Sequence, residues 1–144
     1  MSIVQYAELV GEKILLTGDA GVKALEVAHS YAINLGISLP GLNRFQVPHH
    51  GSRRNLSTEI LDKWLGAKLL DKPIQPLFWT AISASKNDED HPRKAVIRAL
   101  VHRGAGVVTT KGKTAHGWNK NKPTRPGWSS SIPEEYPDDT EADE

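Results

Sequence analysis

The side chains able to do chemistry fall in separated stretches. They are Asp19 in "LLTGDA", His49 and His50 in "FQVPHHGSRRN", and Asn87 and His91 in "NDEDHP". A carboxylate can hold two cations together while neutralising part of their charge, and a neutral imidazole is a good ligand for a borderline ion such as zinc. Arg53 and Arg54 follow the histidine pair directly and would offer charge-assisted hydrogen bonds to phosphate oxygens. Each residue also has a plainer reading. An Asp just ahead of a helix is most often its N-cap. A lone His49 is more often a hydrogen-bonded structural residue than a ligand. His91 before Pro92 would cap a helix that has proline in its first turn, and the arginines would be solvated. His29 falls on a helix, His102 near a helix C-terminus where a cation is favoured anyway, and His116 near the tail; no role is assigned to them.

Bringing these residues together is the task of the elements between them. "SIVQYAEL" and "GEKILLTG" alternate in polarity around a Val10-Gly11 turn and read as a β-hairpin. "AGVKALEVAHSYAINLG" places Val22, Leu25, Ala28, Ala32 and Leu35 on one helical stripe and stops at Gly36. "NRFQV" is a short strand closed by Pro48. "NLSTEILDKWLGA" is a helix with Leu56, Ile60, Leu61, Trp64 and Leu65 inward and Asn55 or Ser57 as its cap. "LFWTAISAS" is a buried strand, and "RKAVIRALVHRG" a helix packing through Ala95, Val96, Ala99 and Leu100 with Gly104 as its stop. "AGVVTTKGKTAHGW" reads as a strand, a Lys-Gly-Lys turn and a second short strand. The order β-β-α-β-α-β-α-β-β predicts an α/β layered fold. Ligands in such folds gather at the carboxyl ends of strands. Asp19, the histidine pair, and Asn87 with His91 each follow a different strand, so the order predicts their convergence.

The 144 residues suit one domain. Apolar residues make up 38%, and the shortfall against a compact domain sits at the end of the chain. The stretch "SSSIPEEYPDDTEADE" holds 7 of the 17 acidic residues and none of the 18 basic ones, so the body 1–128 carries +8 while the whole chain carries +1. Residues 119–144 are therefore expected to form an acidic disordered tail, and the basic body suggests an anionic partner. The absence of cysteine excludes disulfides and Cys-based zinc sites. No apolar run approaches the ~20 residues of a membrane span, and "MSIVQYAELV" does not read as a secretion signal. A cytoplasmic protein with no membrane association is the expectation.

Taken in order, "ILLTGDA", "FQVPHHGSRRNLS", "ISASKNDEDHP" and "GVVTTKGKTAHGW" resemble the C-terminal half of metallo-β-lactamase-fold hydrolases, with the nearest likeness to the ComEC-type competence proteins. The resemblance covers roughly residues 2–118; "HHGS" at this distance after "TGDA" is its specific part. It implies a four-layer αββα sandwich with a dinuclear centre of zinc or manganese at one edge. It further implies Asp19 as the bridging carboxylate and His49 as a ligand of the second metal. His50 and Ser52 would take supporting places around the ligands, with Gly51 letting the backbone pass close. Asn87 and His91 would meet substrate or a leaving-group oxygen, and Arg53 and Arg54 would bind substrate. The activity implied is hydrolysis by a metal-bound hydroxide, with a phosphodiester, possibly nucleic acid, as substrate.

Two features depart from that pattern. The acids between Asn87 and His91 replace the small and aromatic residues usual there, which speaks against anion contact by this turn. The first ligand cluster, His-x-His-x-Asp-His, should precede "TGDA", and no such pattern occurs before position 19. A catalytic zinc takes about three protein ligands plus water, so the expectation is half of a hydrolase. Its apolar strands "SIVQYAEL", "KILLTG" and "GVVTT" would then lack a partner sheet. The chain should pair with an N-terminal half, form a homodimer, or be a truncated remnant or a non-catalytic basic binding module.

Overall fold

The computed structural model describes residues 2–117 and 125–139. One five-stranded sheet has the order β1-β2-β3-β4-β5: β1 (Gln5–Leu9), β2 (Glu12–Leu16), β3 (Arg44–Gln46), β4 (Phe78–Ile82) and β5 (Ala105–Thr109). The first two strands are the expected hairpin, with Leu9 opposite Glu12. Val10 and Gly11 both have positive φ, 52° and 76°, which matches the right-handed twist of a two-residue hairpin. The remaining pairs are parallel, so each connection must cross over, and each does so through a helix. These are α1 (Val22–Asn34), α2 (Thr58–Leu65) and α3 (Lys94–Val101).

Local chemistry sets the helix ends. Ser57 caps α2, its Oγ accepting from the Ile60 N–H at 3.1 Å. α1 is closed by Gly36 at φ 80°, after which Ile37 N–H returns to the Ala32 carbonyl at 3.0 Å. All three helices share one core with a single face of the sheet: Leu15, Phe45, Phe78, Ile82 and Val107 meet Leu25, Ile60, Trp64, Val96 and Leu100. Trp64 is 1% exposed and its indole N–H donates to the Leu25 carbonyl at 3.3 Å. Burying a side chain of this size contributes on the order of 2–3 kcal/mol. Under α2 and α3 lies Arg103, whose side chain is fully buried. It donates to Asp62 Oδ1 at 2.5 and 3.1 Å and to the Ala99 and Thr58 carbonyls. Charge pairing and carbonyl acceptors together compensate its desolvation.

The opposite face of the sheet carries Ile14, Leu16, Arg44, Gln46, Trp79, Ala81 and Val108. With Ala115–Gly117 and Ser130–Ser131 they line a groove of about 280 Å³.

Several expectations change. No strand follows β5 among the described residues. The backbone N–H of Glu134 donates to the Val107 carbonyl at 2.7 Å, and Ser131 exchanges hydrogen bonds with His116, so this later segment meets β5 in place of a return strand. The same segment explains why β5 is buried along its whole length, although "GVVTT" was expected to lie open. Leu35 is 62% exposed and lies beyond the α1 stripe, whereas Ile97 is buried in α3. Residues 125–139 contain no helix or strand, in keeping with their composition, yet they lie against α3 and β5 through hydrogen bonds and ion pairs. The parts of the expected tail at 119–124 and 140–144, and residue 118 of the body, fall outside the described residues. No helix among the described residues is long and apolar enough to cross a membrane.

Candidate functional site

The loops that follow β2, β3, β4 and β5 meet at the carboxyl edge of the parallel strands. Gln46, the last residue of β3, ties the first two. Its side-chain oxygen accepts from the N–H groups of Thr17 and Gly18 at 2.9 and 3.1 Å, and its carbonyl accepts from Thr17 Oγ1 at 2.7 Å. His49 N–H donates to the Gly18 carbonyl at 3.1 Å, and Asn55 Nδ2 to the carbonyls of Asp19 and Ala20. The result places Asp19 Oδ1 3.8 Å from His49 Nδ1, with the His49 side chain 48% and the Asp19 side chain 65% exposed. Asp19 is not the cap of α1: that position belongs to Gly21, with no side-chain hydrogen bond.

The histidine pair sits on unusual backbone. His49, His50 and Gly51 have φ of 46°, 57° and 81°. For an L-residue with a β-carbon this left-handed conformation costs about 1–2 kcal/mol, and such strain persists only where surroundings enforce it. Gly51 shows what enforces it. A β-carbon there would lie 2.8 Å from Pro92 Cβ and 3.3 Å from Ile82 Cγ2, and the Gly51 carbonyl accepts from Arg93 N–H at 3.3 Å. Glycine thus lets the "HHGS" loop close directly onto the "HP" turn.

His50 reaches the end of β4. Its Nδ1 lies 2.6 Å from the Ser83 carbonyl. A carbonyl only accepts, so Nδ1 carries the hydrogen, and in the neutral ring Nε2 keeps its lone pair. Metal-binding imidazoles are commonly held this way, so His50 has a ligand's geometry beside the supporting place expected for it. Ser52 is buried and its Oγ accepts from Arg54 N–H at 3.3 Å, which shapes the loop. The side chains of Arg53 and Arg54 are exposed.

The "NDEDHP" turn is organised by Asp88. Its carboxylate accepts from the N–H groups of Asp90 and His91, both at 3.0 Å, and from His91 Nδ1 at 3.2 Å. Lys111, from the loop after β5, donates to the Asp88 and His91 carbonyls. Burial acts to raise the Asp88 pKa, but hydrogen bonds and charge from His91 outweigh it and hold the carboxyl below its ordinary value. α3 begins only at Lys94, with Arg93 as its cap, so His91 is not a helix cap. Asn87 engages through its N–H to Ser85 Oγ at 3.3 Å. No described hydrogen bond or ion pair joins Asn87 or His91 to Asp19 or His49.

Sequence reasoning missed Asp88, Gln46 and Lys111. Asp88 had a signal, since an Asp that can bond N–H groups two and three residues on is a common turn former. Gln46 and Lys111 had none: a polar residue on a short strand and a lysine beside a glycine are ordinary.

Asp19 and His49 supply two donors, and among the described residues no three His, Asp or Glu side chains are grouped to hold a metal. That set falls short of the three protein ligands of a hydrolytic zinc. The edge can therefore contribute to a metal centre, but its donors do not make one by themselves. No protein-family model matches the chain, and neither the curated proteins nor the solved structures give a significant match.

Proposed function

We propose that this chain is the C-terminal half of a metal-dependent hydrolase of the metallo-β-lactamase type, acting on a phosphodiester. The observation that carries the reading is the approach of Asp19 to His49 across 3.8 Å at the carboxyl edge of a parallel sheet, where α/β folds place ligands. The remaining ligands, the His-x-His-x-Asp-His cluster, would come from a further polypeptide segment or a second chain. That segment would also cover the open face around Leu16 and Leu9, completing an αββα sandwich. Two zinc or manganese ions would supply Lewis acidity there. Asp19 and His49 would hold them, with His50 steadied by Ser83. No reaction step is assigned to the chain alone, because its own donors do not fit a complete centre.

The test is metal titration by calorimetry on the chain alone and on the chain joined by the completing segment. Weak binding is expected alone. In the completed protein, tight binding and phosphodiester hydrolysis are expected, with affinity reduced at least ~10-fold by Asp19→Ala or His49→Ala. Tight binding of two ions by the isolated chain, or no effect of either substitution, would overturn the reading. A second reading, a basic binding module without a metal centre, is favoured by the +8 body. Under it, both substitutions leave binding of the anionic partner unchanged.

A further inference from the structure

Lys94, Arg98 and His102 lie four residues apart along α3 and its C-terminal turn, which puts them on one stripe at a spacing of ~6 Å. The consecutive residues Tyr136–Asp139 lie along that stripe and present an electron-rich group to each position. Asp139 accepts from Lys94 Nζ at 2.8 and 3.0 Å. The carbonyls of Pro137 and Asp138 accept from Arg98 Nη1 at 2.6 and 3.2 Å. The Tyr136 hydroxyl meets His102 Nε2 at 2.9 Å, and its ring lies 3.5 Å from Lys72 Nζ and 4.7 Å from the Arg98 guanidinium. Nothing regular holds this segment in place: it has no helix or strand, and Asp138 and Asp139 are exposed. Its grip is electrostatic, which at an exposed surface is weak and screened by salt.

We infer that Tyr136–Asp139 is an intramolecular competitor seated on a phosphodiester-binding strip, and that a nucleic-acid strand displaces it. The strip's spacing is comparable with that of successive phosphates along a strand. Its chemistry, an ammonium and a guanidinium with the His102 imidazole next along the stripe, is the kind that tracks a nucleic-acid backbone. A strand brings many charges where the tail segment brings few, so it wins by releasing counterions. The low Asp139 pKa, caused first by its hydrogen bond from Lys94, agrees with a carboxylate held in its charged form. This inference uses neither Asp19 nor His49 and stands apart from the metal-centre reading.

The test measures fluorescence anisotropy of a labelled single-stranded oligonucleotide with the full chain at low salt. Tyr136→Ala/Asp139→Asn, which loosens the segment, should tighten binding at least ~5-fold, with an affinity that falls as salt rises. Adding Arg98→Glu should remove the gain, whereas Lys23→Glu, an equal charge change on α1, should leave most of it. In the unsubstituted chain, the oligonucleotide should move the NMR shifts of the Tyr136 ring and the Asp139 carboxylate, which contact His102 and Lys94, toward random-coil values. No gain on loosening, a gain that survives Arg98→Glu, or shifts at Tyr136 and Asp139 unaltered by the oligonucleotide would each overturn the inference.

Discussion

Gly51 is the residue on which the closeness of the site loops turns. Its positive φ of 81° and its lack of a β-carbon are both used, because the space a β-carbon would fill belongs to Pro92 and Ile82. Gly11 isolates the first requirement from the second: its φ is 76°, but nothing lies within 4 Å of a β-carbon built on it. Gly11→Ala should therefore cost only the left-handed penalty, about 1–2 kcal/mol. Gly51→Ala should cost roughly 2–4 kcal/mol, because the steric overlap with Pro92 adds to that penalty. Denaturant unfolding of the two variants measures the difference directly. Equal losses would mean that Pro92 yields freely and that the two loops are not held together at this point. The strain at His49 and His50 belongs to the same arrangement. Two β-carbon-bearing residues stay left-handed because the loop is fixed on one side by the Gly18 carbonyl and on the other by Ser83 and Pro92.

Among the elements, the turn 87–92 depends for its integrity on a titrating group, Asp88. Asp88 has a lower pKa folded than unfolded, so its contribution to stability is complete above the unfolded value of ~3.9. It is lost as the pH falls through the lower folded value. The stability difference between the native chain and Asp88→Asn should accordingly be held well above ~3.9 and shrink as the pH falls through the lower folded value. Urea unfolding at several pH values checks this; a difference that persists in strong acid would show that the carboxylate charge plays no part. What could be read in advance about the elements followed the strength of local chemistry. The hairpin was legible because Val10-Gly11 demands it, and α2 because Ser57 is a cap followed by an amphipathic run. The approach of Asp19 to His49 was legible because strand ends in a βα order must share an edge. The replacement of the expected return strand after β5 by a later segment was not, since Glu134, which bonds β5 there, is more than twenty residues away. Nor was the Asp88 clamp on His91, where a run of acids that speaks against anion contact conceals one carboxylate turned inward onto its own turn.

At the scale of the whole molecule, the two faces of the sheet are treated unequally. One is closed by all three helices. The other is covered beside β5 by residues 115–117 and 130–131 and remains open toward β2 and β1, where Leu16 is 46%, Ile3 69% and Leu9 60% exposed. Apolar surface left open in this way on a sheet marks an interface. Its position decides what should be measured, because an interface residue and a core residue respond differently to charge. Leu16→Lys places an ammonium on the open face without disturbing Leu15, which points into the core on the opposite side. Alone, the variant should lose less than about 1 kcal/mol in thermal unfolding. Where a completing segment or a second copy lies on that face, the same lysine would be buried without a partner, and association should weaken at least ~10-fold, equivalent to ~1.4 kcal/mol. Sedimentation velocity of the chain, alone and with the completing segment, reads this association. If Leu16→Lys leaves every association unchanged, the open face is not where the second half of the fold is seated.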